Sequence, residues 1–203
     1  YAPKGVNRVL PQFKDTTNPP AWVGIDAWEL AIVVNDVEAK AKNLPQIKSY
    51  NDLLRPEFKG QIVMSNPNSS GTGFLAVSGL IQLLGEKKAF EYMDKLHKNI
   101  AMYTHSGSAP AKKAAAGEFA VGISYVYAGI NQKKKGAPVS VIFPVEGSGW
   151  DVEANALIKK KAIKNEAKLF LDWAISDQAI SAITGDYAIT SVKMTNKIPE
   201  GYS

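Results

Sequence analysis

The feature that most constrains this chain is a regular alternation of short β-branched runs with helix-length segments between residues 61 and 143. Residues 61–64, 100–104, 119–124 and 139–143 read as strands, and residues 71–84, 86–98, 109–116 and 127–135 as helices. Strands separated by helices of this length bury their apolar faces in a sheet covered on both sides, so the pattern predicts a three-layer α/β domain. Upstream, residues 28–34 form a buried-strand run ending at Asn35. Short helices are expected at 37–42 and, behind a Ser49 cap, at 50–54, where Pro56 stops the chain. Downstream, residues 153–158 read as a strand, followed by helices at 164–175 and 177–183, the second capped by Ser176. Pro3, Pro11, Pro19 and Pro20 make the first twenty residues an irregular connection.

Composition narrows the function. Of 203 residues 45% are apolar and 21% charged, enough apolar surface for a packed core. No apolar run approaches the roughly 18 residues of a membrane helix. The absence of cysteine excludes disulfide scaffolds, thiolate metal sites and cysteine nucleophiles. The net charge of +5 invites a nucleic-acid reading, but the lysines fall in two short runs, Lys133 to Lys135 and Lys159 to Lys161, without interleaved aromatics. A solvated face explains them, and no nucleic-acid partner is expected. The first of these runs precedes Gly136, where cations suit the negative end of a helix and glycine terminates it.

Three segments carry polar chemistry. Asn66-Pro67-Asn68-Ser69-Ser70-Gly71-Thr72-Gly73 lies between a strand and a helix, where free N–H groups and hydroxyls suit a phosphate or carboxylate. Taken alone, the segment reads first as a simple helix cap by Ser69 or Ser70. His105-Ser106-Gly107-Ser108 precedes a helix opened by Pro110, and Ser124-Tyr125-Val126-Tyr127 ends the following strand. In an open α/β sheet such segments converge beyond the carboxyl ends of the strands, so together they suggest an oxyanion pocket. The anion is expected to sit on the start of the helix at 71–84. There is no Gly-x-Ser-x-Gly elbow, and His97 and His105 do not have metal-ligand spacing. Binding is therefore expected, without catalytic residues, metal or cofactor.

Several stretches resemble one family. Trp22-Val23-Gly24-Ile25, Val33-Val34-Asn35, Ser49-Tyr50-Asn51-Asp52-Leu53, Phe58-Lys59-Gly60-Gln61-Ile62, Ser69-Ser70-Gly71-Thr72-Gly73 and Ala115-Ala116-Gly117-Glu118 resemble the ferric-ion and phospho-compound branch of type II periplasmic binding proteins of ABC importers. Within it, residues 103–108, 122–124 and 147–151 look most like 2-aminoethylphosphonate binders. Iron binders of this branch carry an adjacent tyrosine pair where this chain has Tyr125-Val126-Tyr127, and an arginine where it has Trp28. These departures argue against iron(III). Asp26 and Trp28 offer a carboxylate and an indole for an ammonium, with Asp151 or Glu153 as further acids. A structural turn aspartate is the equal alternative for Asp26.

The resemblance implies an extracytoplasmic receptor, periplasmic or lipid-anchored, that passes a phosphonate or phosphate ester to a membrane permease. A sugar-phosphate or ferric receptor of the same fold, or a phosphate-ester enzyme, is the alternative. The implied ligand set is Asp26, Trp28, Ser69, Ser70, Gly71, Thr72, His105, Ser106, Ser108, Ser124, Tyr125, Tyr127, Trp150 and Asp151. By the same resemblance residues 34–144 form a complete second lobe, while 1–33 and 145–203 belong to a partial first lobe whose opening half is expected to be absent. The chain is then expected to bind weakly, because a cleft needs both walls, and the partial lobe to expose Leu169, Phe170 and Trp173 and so favour self-association.

Overall fold

The computed structural model describes residues 1–184 and 189–193. The chain divides into two compact units at Trp28/Glu29 and Trp150/Asp151, a few residues outside the lobe boundaries expected from sequence.

Residues Glu29–Trp150 build an α/β unit. Its strands run β3 (Ile100–Thr104), β2 (Ile62–Ser65), β4 (Val121–Tyr125), the second half of β1 (Trp22–Asn35) and β5 (Val139–Ile142). β2 is parallel to β3 and β4, whereas β1 is antiparallel to β4 and β5, with Ile32 opposite both Ile123 and Ile142. Helices α1 (Asp36–Ala41), α2 (Gly71–Leu84), α3 (Glu86–His97), α4 (Ala109–Ala115) and α5 (Val126–Lys134) follow in chain order.

The alternation along each strand sorts the helices onto two faces. Ile32 and Ile123 share one apolar space with Leu80 of α2 and with Tyr92 and Leu96 of α3. Val33 packs on the other face with Ala111 and Ala114 of α4 and Ala128 of α5. Gly122 lies under α4, where an added Cβ would stand 2.4 Å from the Pro110 carbonyl oxygen. The three-layer arrangement expected from sequence is the one found. Asn35 closes the end of β1: its Oδ1 caps the Val37 and Glu38 N–H groups, while its Nδ2 donates to Ala114 O at 2.8 Å.

The second unit contains Tyr1–Trp28 and the described residues from Asp151 onward. Val9, Phe13, Val23, Ile175, Ile180 and Val192 form its core. Two single turns at Val6–Arg8 and Pro11–Phe13 interrupt the proline-rich opening. Helices α6 (Asn165–Ala174) and α7 (Asp177–Ile183) complete it, and Ser176 caps α7 by accepting from Ala179 N–H. Leu169, Phe170 and Trp173 of α6 are exposed.

Several boundaries differ from the sequence reading. The strand expected at 28–34 extends from Trp22 because its first half pairs separately, with β6 (Trp150–Ala156), with Lys14 through a bridge at Val23, and with β7 (Ile189–Thr190), where Asp26 faces Thr190 and Ala27 faces Ile189. Gly24 and Asp26 hold inward positions there and disguise the apolar alternation. β6 runs Trp150–Ala156 rather than 153–158. The turn at Tyr50–Leu54 is a 3-10 helix, fixed by a Ser49–Asp52 capping box. The Lys133 to Lys135 run sits at the end of α5 as expected, and Gly136 turns the chain with φ of 88°.

Gly122→Ala tests the sheet–helix contact. Its Cβ would meet backbone rather than a movable side chain, so a loss of about 1–3 kcal/mol is expected, read as a lower urea midpoint with unchanged m.

Candidate functional site

The site is built where β2 hands over to α2. Ser70 caps α2, its Oγ accepting from Gly73 N–H at 3.4 Å, so Ser70 rather than Ser69 fills that role. The chain folds tightly onto itself here because Gly73 has no side chain; a Cβ would lie 2.6 Å from Ser65 O. Gly71 is exposed, with open space where a side chain would project. As the first two residues of a helix, Gly71 and Thr72 have N–H groups without an intrahelical partner. Among the described residues neither finds another acceptor.

The loop at 105–108 faces this helix start. A Cβ on Gly107 would fall 2.2 Å from Thr72 Oγ1 and 3.6 Å from Ser70 Oγ, so the two segments touch through the missing side chain. Three hydroxyls hold the loop from beneath. Ser65 Oγ and Thr104 Oγ1 donate to Ser106 O at 3.3 and 3.0 Å, and the fully buried Ser124 donates to Gly107 O at 2.6 Å. In a planar trans peptide the carbonyl and the next N–H point in opposite directions. Anchoring these two carbonyls inward therefore turns the Gly107 and Ser108 N–H groups away from the sheet. They too have no acceptor among the described residues.

The site thus presents four backbone N–H donors, from Gly71, Thr72, Gly107 and Ser108. Around them stand the hydroxyls of Ser70, Thr72, Ser106 and Ser108, the last two 3.2 Å apart. Thr72 is buried, yet its hydroxyl has no partner among the described residues. At the outer edge Ser69 Oγ lies 3.0 Å from His105 Nδ1, both side chains being exposed. Convergent N–H groups, hydroxyls and a helix start stabilise a small anion.

Two parts of the sequence reading change. The second donor set comes from a loop, since α4 has only seven residues and Ser108 makes no side-chain cap. Ser124 is a positioning residue: its single proton is committed to Gly107 O. Tyr125 ends β4 and Tyr127 begins α5, both half-buried; the Tyr127 hydroxyl accepts from Asn131 Nδ2 at 3.5 Å. Trp150 is exposed on the same unit. Sequence reasoning missed Ser65 and Thr104, which carry no motif and act only through the carbonyl they hold.

Asp26, Trp28 and Asp151 belong to the other unit. Trp28 is half-buried at the end of that unit's share of β1. Asp151 is exposed and accepts from Val152 N–H at 2.7 Å. Asp26 is 1% exposed, and its Oδ1 has no hydrogen-bond partner among the described residues. Burial, aided by the negative charge of Glu153, pushes its carboxyl up to about 7. Among the described residues no group of acidic or histidine side chains could hold a metal ion, and no helix is long and apolar enough to cross a membrane.

Comparison with known proteins places this geometry. The sequence profile of the bacterial extracellular solute-binding protein family matches residues 1–202, and the chain belongs to that family. Its α/β architecture is that of a periplasmic binding protein. It superposes on AfuA of Actinobacillus pleuropneumoniae, solved with exogenous fructose-6-phosphate bound, with a TM-score of 0.89 and 32% identity, covering 98% of this chain and 64% of that one. The periplasmic binding protein P5PA gives 0.88 and 31%, over 100% and 66% of the two chains. An uncharacterized protein of Haemophilus influenzae is 30% identical over 185 residues, 88% of this chain and 52% of its own length. Iron-bound HitA of Pseudomonas aeruginosa shares the fold at 20% identity and a TM-score of 0.79, covering 100% of this chain and 66% of that one. The chain thus spans about half to two thirds of the length of these relatives.

Asp26 yields a pH prediction. A carboxyl near 4 in the unfolded chain and near 7 in the folded one binds its proton more tightly when folded. Its contribution is greatest below pH 4 and is lost as pH rises through 7. The difference in melting temperature between wild type and Asp26→Asn should move in the variant's favour across that window, whereas parallel curves would show Asp26 ionised throughout.

Proposed function

We propose that the chain is part of the substrate-binding component of an ABC importer, working outside the cytoplasmic membrane and delivering a small organic phosphate or phosphonate to its permease. The observation that carries this reading is the seat of four outward N–H groups and four hydroxyls at the start of α2. Hydrogen bonds to a charged group contribute about 1.5–3 kcal/mol each, so a few of them suffice for tight capture of an oxyanion. Binding without turnover fits the site better than hydrolysis. The Ser69–His105 pair has the spacing of a nucleophile and base, but no third side chain among the described residues orients the ring from its other nitrogen.

Two finer readings divide on the far end of the ligand. The ammonium of 2-aminoethylphosphonate is best matched by an ionised carboxylate, and Asp26, its sequence candidate, is buried with its carboxyl pushed up to about 7. A sugar phosphate requires hydrogen-bonding groups for hydroxyls instead. That reading is supported by the fructose-6-phosphate bound to AfuA, and it is the one these observations favour.

Calorimetry with fructose 6-phosphate, 2-aminoethylphosphonate, ethylphosphonate, inorganic phosphate and iron(III) tests both levels. Ser70→Ala and Thr72→Ala should each weaken binding of the phosphorylated ligands about tenfold or more. Unchanged affinity in both variants would reduce the α2 start to a structural cap. For the finer choice, preferential loss of 2-aminoethylphosphonate over ethylphosphonate in Asp26→Asn would restore the aminophosphonate reading.

A further inference from the structure

A second cavity lies within the Glu29–Trp150 unit, alongside the later turns of α2. Its volume is about 400 Å³. We propose that this cavity, lined by Tyr50, Gln82, Leu83, Glu146, Ser148 and Trp150, binds a small organic cation bearing a primary ammonium or guanidinium group.

Its floor is a glycine–glycine contact: a Cβ on Gly79 would lie 3.2 Å from Gly149 Cα, so the backbone of the 147–149 loop rests directly on α2. Tyr50 makes one wall. It is fixed by an edge-to-face contact with Tyr92, centroids 6.4 Å apart, and by the Tyr92 hydroxyl donating to Tyr50 O at 2.7 Å. The Trp150 indole is 57% exposed. An exposed indole beside a carboxylate attracts a cation over its ring face.

The charge is set by Glu146. Its carboxylate accepts from the Ser49 hydroxyl and, at 3.4 Å, from Tyr50 N–H. Both donors are neutral, and none of the ion pairs among the described residues includes Glu146. The Glu146 carboxylate therefore stands in a half-buried place without an ion-pair partner among the described residues. Ser148 donates to Leu30 O at 2.5 Å, and its hydroxyl also hydrogen-bonds the Tyr50 side chain, which ties the 147–149 loop to the aromatic wall. Among the described residues no lysine or arginine lines the cavity. Carboxylate and aromatic faces select a cation and repel the anion expected at the other end of α2.

The two sites are separate. Gly71 and Gly79 are eight residues apart on one helix, about 12 Å at 1.5 Å per residue. A molecule the size of an aminophosphonate cannot bridge them, so this inference does not rest on the proposed function.

The test is calorimetry and indole NMR of the full chain titrated with methylguanidinium, 1,4-diaminobutane and ethanolamine, with ethyl phosphate as the anionic control. Saturable millimolar or tighter binding is expected for the cations, with shifts confined to one indole resonance that disappears in Trp150→Phe. Glu146→Gln should weaken binding at least tenfold. Gln82→Lys, at an exposed position that keeps the fold, should abolish it by placing a tethered ammonium in the cavity. Absence of saturable binding by all three cations, or undiminished binding in Glu146→Gln and Gln82→Lys, would overturn the proposal.

Discussion

The close approach of Gly73 to the end of β2 is the contact on which the anion seat depends. With no side chain there, the first turn of α2 lies against Ser65 and Asn66, and the free N–H groups of Gly71 and Thr72 stand at the sheet edge. Any larger residue would lever the helix start away. Gly107 repeats the device from the opposite side, allowing its loop to meet Thr72 without an intervening side chain. Backbone donors are rigid and cannot retreat into alternative rotamers, which makes such a seat pre-organised for its ligand.

Beneath the seat, polarity is arranged by hydroxyls that a ligand need never touch. Ser65, Thr104 and Ser124 are all buried, and all donate to carbonyls of the 105–108 loop. Each bond satisfies a buried polar group and also orients a peptide plane. The loop can then present donors outward although its sequence, rich in serine, would permit many conformations. Asn35 and Asn99 use the same economy elsewhere, each side chain securing neighbouring backbone: Asn35 at the start of α1 and Asn99 on Leu53 O and Arg55 O.

How much was legible in the sequence varies with the range of the interaction that decides it. The bounds of α2 and α7, the strand at 100–104, and the Ser49 and Ser176 caps follow from neighbours within a few residues, and they agree with the structure. Legibility failed where distant pairing intervenes. β1 extends to Trp22 because β6 and β7 pair with it, and the Tyr50–Glu146 contact joins residues 96 positions apart. Asp26 illustrates the limit sharply. Its residue type suggested a ligand for an ammonium, but only burial reveals that the group is driven toward its neutral form.

The sequence by itself determined the layered α/β class, the helix starts and the glycines that permit close approach, since these rest on periodicity, capping and backbone freedom. Tertiary structure alone decided which donors face outward, which hydroxyls are committed to holding carbonyls, and which carboxyls lose water or stand without a counterion. Those properties arise from atoms far apart in the chain meeting at hydrogen-bond distance, and from the solvent their meeting excludes.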